Sequence, residues 1–201
     1  AIELLKKLSG VFHERKDGAL LIAEESTAWP MVTGDTEKNG LGFDFKWNMG
    51  WMNDFTGYMQ TDPLYRKGRH GTLLFSMVYA YSEYFVLVFS HDEVVHLKAS
   101  MLMKMPGSME QKYANLRAAY GFMMAHPGKK LMFMGQEFAQ KEEWNEKTSL
   151  PWDEAAEPEH DIFRQYVRAL NQFYLKHPSL YENDYDETGF EWISSMDADH
   201  S

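Results

Sequence analysis

The 201-residue chain has no cysteine, which excludes a disulfide framework and thiol catalysis and suits a reducing, cytoplasmic compartment. It has no run of 18 apolar residues, so no segment is expected to span a membrane. The opening Ala1-Ile2-Glu3-Leu4-Leu5-Lys6-Lys7-Leu8 does not have the layout of a secretory signal. Basic residues are scarce: 20 Lys and Arg stand against 30 Asp and Glu, a net charge of −10. A phosphate backbone needs clustered cations, so nucleic acid is excluded as a partner, and a neutral ligand such as a sugar is compatible. There is no internal repeat and no low-complexity tract. The chain also lacks an initiator Met and opens in mid-helix pattern, so it is expected to be a piece of something longer.

What is present is enough for a folded core. Hydrophobic residues make up 44% and aromatics 15%, well above the range of disordered chains. Ala1, Leu4, Leu5, Leu8, Val11 and Phe12 fall on one helical face, and the polar stretch Glu14 to Gly18 ends it. The continuous apolar run Ala19 to Ala23 reads as a strand buried on both sides, as in a parallel sheet. Phe43 to Trp47 alternates as a strand does. Helical pattern resumes over Met49 to Met59 and over Thr72 to Tyr81, and Phe85 to Phe89 is the strongest strand signal in the chain. Ser108 with Gln111 three residues on forms a capping-box pattern, opening a helix striped by Met109, Tyr113, Leu116, Tyr120, Met123 and Met124. Leu131 to Met134 is a last buried-strand candidate. Phe163, Tyr166, Val167, Leu170, Phe173 and Tyr174 mark a final helix. Phe190 to Ile193 is expected to begin a separate antiparallel element.

Strands alternating with helices imply right-handed crossovers and a parallel sheet. In such folds functional side chains gather where strands end. That rule selects Glu24-Glu25, His91-Asp92-Glu93 and Gly135-Gln136-Glu137, each with carboxylates at the end of a strand; singly, each is also what a solvated charge or helix cap looks like. Glycosidic bond chemistry requires paired carboxylates, one to protonate the leaving oxygen and others to stabilise or trap an oxocarbenium-like carbon. Neighbouring side chains on a strand point to opposite faces, so Glu24 and Glu25 cannot both face one site, and periodicity does not choose between them. His91, Asp92, Glu93 and His96 are all possible metal ligands, but histidines five apart do not match the zinc helix spacing, and no metal is expected. Trp29, Trp47, Trp51 and Trp144 lie in or near strand-end loops, where one or two of them could stack on sugar rings.

The strand-end strings have a family likeness. Leu21-Ile22-Ala23-Glu24-Glu25-Ser26-Thr27 resembles the fifth-strand motif of bacterial glycogen branching enzymes in the α-amylase superfamily. Lys46 to Met52 resembles that family's sixth-strand segment, Phe89 to His96 its seventh-strand motif, and Met134 to Gln140 with Glu143-Trp144-Asn145 its eighth-strand loop. The resemblance implies an α/β fold made of strands five to eight of a TIM-type (β/α) barrel over residues 1–188, with 189–201 starting a C-terminal β domain. It implies Glu24 as general acid/base, Asp92 as the carboxylate that stabilises the transition state, and His91 as a sugar-binding neighbour. Trp29 and Trp51 are the expected stacking residues. The implied reaction is a retaining double displacement on α-1,4-glucan that creates α-1,6 branches, with no cofactor and no metal. No stretch resembles the family's nucleophile motif, so the chain alone is expected to be inactive. Alternative expectations are a glucan-binding or pairing module, self-associating through open sheet edges, and an α-glucan hydrolase.

Overall fold

The computed structural model describes residues 1–200. The expected segment 189–201 therefore ends one residue outside the described residues, at Ser201. Helix α1 (Ile2–Glu14) leads to β1 (Ile22–Ala23), β2 (Phe45–Trp47) and α2 (Met49–Gln60). Helix α3 (His70–Phe75), β3 (Phe85–Phe89), α4 (Met101–Lys104) and α5 (Met109–Ala125) follow. Strand β4 (Lys129–Met132) and α6 (Pro158–Lys176) complete the regular elements. The four strands form one open parallel sheet in the order β1-β2-β3-β4. Sequential order in an all-parallel sheet is what repeated βα crossovers of one hand produce. No helix is long and apolar enough to cross a membrane among the described residues.

The core sits around β3, all five of whose residues are buried. Helix α5 packs on it through Leu116, Ala119, Tyr120 and Met123, each fully buried. Its N-terminus carries the expected capping box: the Ser108 amide donates to Gln111 Oε1 at 2.7 Å, and the Gln111 amide donates back to Ser108 Oγ. Helix α6 adds Phe163 and Val167. The other flank is thin. A small cluster of Ala23, Val32 and Leu41, with Ile2, Leu5 and Phe43 against it, supplies the apolar backing of β1. The apolar face expected of α1 is accordingly only partly used: Leu4, Leu8 and Val11 remain exposed.

Four elements differ from expectation. The strand expected over 19–23 with both faces buried is only Ile22–Ala23, with Leu20 and Ile22 exposed, because it stands at the open edge of the sheet. Strand β4 begins two residues early, at Lys129-Lys130, because those ammonium groups are dressed within the fold. Lys129 pairs with Asp184 at 2.9 Å beside the rings of Tyr181 and Tyr185, and Lys130 donates to the carbonyls of His126 and Gly128. A charge so satisfied can enter a strand that an apolar run would not include. The helix expected over 72–81 breaks into α3 and a one-turn 3-10 segment at Ser76–Val78. Residues 190–193 form no strand; Ile193 is fully exposed, and among the described residues there is no second sheet for it to pair with.

Candidate functional site

Strand β3 delivers its end to the rim with little freedom. Ser90 is fully buried, and its hydroxyl accepts the Asp92 amide at 3.2 Å, capping a single 3-10 turn over His91–Glu93. The turn separates three polar neighbours. His91 Nε2 and Asp92 Oδ1 lie 3.3 Å apart and stay partly open to solvent. Glu93 turns into the interior, where it faces Lys104 at 3.7 Å and Lys98 at 3.9 Å. Burial pushes the Lys104 ammonium below its usual range, and Glu93 acts against that fall.

At the end of β1 the two adjacent glutamates part. Lys46 is the register partner of Ala23, so the side chain two residues beyond Ala23 shares its face. That side chain is Glu25, which meets the buried Lys46 ammonium at 2.6 Å and accepts the Thr27 amide at 2.6 Å. Lys46 also donates to the Thr27 carbonyl. Burial pushes the Glu25 carboxyl up, but contacts with Lys46 and Thr27 outweigh it and hold the group below the ordinary carboxylate range. Glu25 is thus tied to the fold. Glu24, one residue earlier, projects from the opposite face and is exposed.

From there Glu24 reaches the β3 rim. One carboxylate oxygen of Glu24, one ring nitrogen of His91 and one carboxylate oxygen of Asp92 all lie within 4.8 Å of one another. Two acids and an imidazole converging that closely can share the hydroxyls and bridging oxygen of one sugar bound over them, or in principle a divalent cation. The earlier candidate ligand set is not assembled: Glu93 is turned inward, and neither it nor His96 joins a group of three within ligand reach among the described residues. Glu137 also stays out, its carboxylate accepting the Gly135 amide at 2.8 Å in the turn after β4. A left-handed φ of 88° makes glycine necessary at 135, and a Cβ there would meet Gln140 Oε1 at 2.1 Å.

The tryptophans divide. Trp51 does not reach the site: it is 1% exposed, its ring stacked 5.0 Å from Phe55 and tilted against Phe89 at 5.2 Å. Its helical spacing with Phe55, Tyr58 and Met59, all buried on the same face of α2, is the signal that marks it as core. Trp29 is half exposed and lines a cleft of about 520 Å³ with Glu25, Lys46 and Tyr79. A second cleft, about 570 Å³, runs from His91 past His96 to Glu143, Trp144 and Asn145. Lys46 and Glu143 were not singled out as site residues from sequence. Both fall in strings that carry the resemblance; Lys46 is also marked as a lone cation between aromatics in a strand, whereas Glu143 beyond its string is one of several acids in a polar loop.

Fold and rim together define the class: an α/β protein whose polar chemistry gathers at the C-terminal edge of a parallel sheet. The chain is homologous along its whole length to the 1,4-alpha-glucan branching enzymes. It is 53% identical over 201 residues to the 1,4-alpha-glucan branching enzyme GlgB of Shewanella frigidimarina, covering 100% of this chain and 27% of that protein. It is 52% identical over 201 residues to the GlgB 2 enzyme of Rhizobium johnstonii, covering 100% of this chain and 27% of the relative. The GlgB 1 enzyme of Xanthomonas euvesicatoria pv. vesicatoria is 53% identical over 200 residues, again 100% of this chain and 27% of the relative. The chain thus spans about a quarter of the length of the curated relatives it matches. No family model matches it.

Proposed function

We propose that the chain supplies the acid/base side of an α-glucan branching site, its four strands standing as the fifth to eighth of a (β/α) barrel. The observation that carries this reading is the convergence of Glu24, His91 and Asp92 within 4.8 Å from two different strands. Glu24, exposed and free of the Lys46 lock, protonates the departing glucan oxygen and later takes the proton of an incoming 6-hydroxyl. Asp92 and His91 hold hydroxyls of the distorted sugar between them. Trp29 offers a stacking face at the neighbouring cleft. The nucleophilic carboxylate comes from residues outside this chain, so the chain by itself forms no glycosyl intermediate. A cytoplasmic location follows from a substrate that is made and stored inside cells.

In the longer protein that carries this segment, Glu24→Gln should lower turnover on amylose by about a thousandfold or more, the range in which a general acid/base acts. The check is the appearance of α-1,6 anomeric protons by NMR. Turnover retained in that variant would sink the assignment, and new reducing ends without α-1,6 links would make the enzyme a hydrolase. The 201-residue chain should show no branching above background. A second reading, a glucan-binding or pairing module, is favoured by the open edges of β1 and β4. Saturable binding of a maltooligosaccharide by the chain, lost in His91→Ala, would support it.

A further inference from the structure

Beyond the His91–Glu93 turn the backbone adopts a shape that its own residues disfavour. His96, Leu97 and Ala99 have φ of 56°, 66° and 65°, the left-handed region that side chains other than glycine rarely occupy. Apolar packing anchors only the start of this strap, at Val94 and Val95; around the left-handed residues it is absent, since Leu97 is 98% exposed. Polar contacts from the loop after β4 hold the rest. The Glu143 carboxylate accepts the Leu97 amide at 3.1 Å on one oxygen and the Ala99 amide at 2.6 Å on the other. The Trp144 amide donates to the Val94 carbonyl at 2.9 Å, and the Ser100 hydroxyl donates to the Lys141 carbonyl at 2.8 Å. Residues 94–100 are thereby stitched to residues 141–144 along their length.

The strap leaves the His91–Glu93 turn directly, through the buried Val94 and Val95. Whatever fixes 94–100 therefore limits how the turn can rotate. On the inner side Glu93 is held by Lys104 and Lys98, the latter itself within the strap. Of the groups in the stitching, the Glu143 carboxylate is the one that grips two left-handed residues at once. A charged acceptor binds amide protons about twice as strongly as a neutral one. In a glutamine held in the same pose one of those two oxygens becomes an NH₂, a donor facing an amide that is itself a donor, so one of the two contacts is lost.

We propose that Glu143 is a positioning residue of the site: by binding the Leu97 and Ala99 amides it holds the strap that aims His91 and Asp92 at Glu24. This rests on the branching reading given above. It touches no reacting atom and acts through the turn.

The test uses Glu143→Gln and Glu143→Asp in the longer protein, with amide hydrogen exchange of the same variants in the 201-residue chain. Glu143→Gln should lower kcat about tenfold to a hundredfold, as misplacement of a catalytic pair by about 1 Å does, with KM changed less than threefold. Glu143→Asp keeps two acceptor oxygens on a shorter stem and should recover part of kcat. The Leu97 and Ala99 amides should lose protection in Glu143→Gln while those of β3 keep theirs. Unchanged kcat with freed strap amides would overturn the proposal, as would strap amides that stay protected. Loss of protection throughout β3 would also overturn it, making Glu143 a residue of the fold. Glu24→Gln run alongside separates the two ideas: if that control keeps full turnover, the branching site itself is misassigned, whereas a dead control with an active Glu143→Gln removes only the positioning role.

Discussion

Glu24 and Asp92 meet across one gap, yet they arrive from strands that are held in different ways. Asp92 follows β3, an inner strand paired on both sides and buried at all five residues. Glu24 follows β1, an edge strand of two residues with Ile22 exposed and Ala23 buried. Around β3 the stabilisation is apolar contact with α2 and α5, whose Trp51, Phe55 and Tyr120 rings pack on Phe89. Around β1 it is polar. Asp44 accepts the Leu21 amide at 2.7 Å and pairs with His13 at 3.1 Å. Glu83 accepts the Val32 and Thr33 amides, each at 2.8 Å, and Lys46 locks Glu25. A pair of groups is aligned only as well as its looser member, so the local locks around β1 matter to the site out of proportion to their individual strength.

The contrast can be tested by deletion. Leu116→Ala, at a fully buried position on α5, should cost about 2–5 kcal/mol in urea unfolding of the chain. Leu5→Ala, in the half-buried flank under β1, should cost about 1 kcal/mol, since less surface is withdrawn from water there. Equal losses would mean that the two flanks are one core.

Acid should loosen the core first. His126 lies buried between Ser76 and the Pro127 carbonyl, and burial pulls its imidazole down to about 4. The folded-state value is below the unfolded one, near 6.5. Its contribution is therefore complete above pH 6.5 and lost as pH falls from there toward 4, about 3 kcal/mol in all. Urea midpoints at pH 7 and pH 4.5 check this, and His126→Gln should flatten the difference.

The β1 flank titrates lower. Glu25 is held below the ordinary carboxylate range as above, and in Asp44 burial raises the carboxyl while the Leu21 amide and His13 lower it further. Both carboxyls therefore add stability above that range and lose it as pH falls through their depressed folded values. At neutral pH, Glu25→Gln should cost about 1–2 kcal/mol. A fully buried pair would lose more on breaking, but 28% of the Glu25 side chain is exposed. Amide exchange should rise at residues 21–27 and stay unchanged in β3; a rise in β3 of equal size would erase the distinction between the flanks.

Much of the arrangement was legible residue by residue. Phe85 to Phe89 announced the central strand because five apolar side chains in sequence need cover on both faces. Ser108 and Gln111 announced the start of α5 because their side chains complete each other's orphan amides. The rim positions of Glu24, His91 and Asp92 followed from strand ends and from the resemblance of their motifs. The start of β4 was hidden because Lys129 and Lys130 read as solvent-seeking until Asp184, the tyrosine rings and the carbonyls around them are in place. Trp51, close to a strand end, looks like a loop aromatic, yet its helical spacing with Phe55, Tyr58 and Met59 points to the core where it lies.

By itself, then, the sequence determined which strands exist, their parallel sense and which carboxylates end them, because hydrophobic period and chain order are local properties. Only the tertiary structure decided which glutamate of the adjacent pair is free and which is locked. That choice depends on Lys46 standing in register with Ala23, 23 residues further along the chain. The same is true of the strap behind Asp92: its left-handed residues are tenable only because a carboxylate from another loop meets their amides, a contact that spacing in sequence does not reveal.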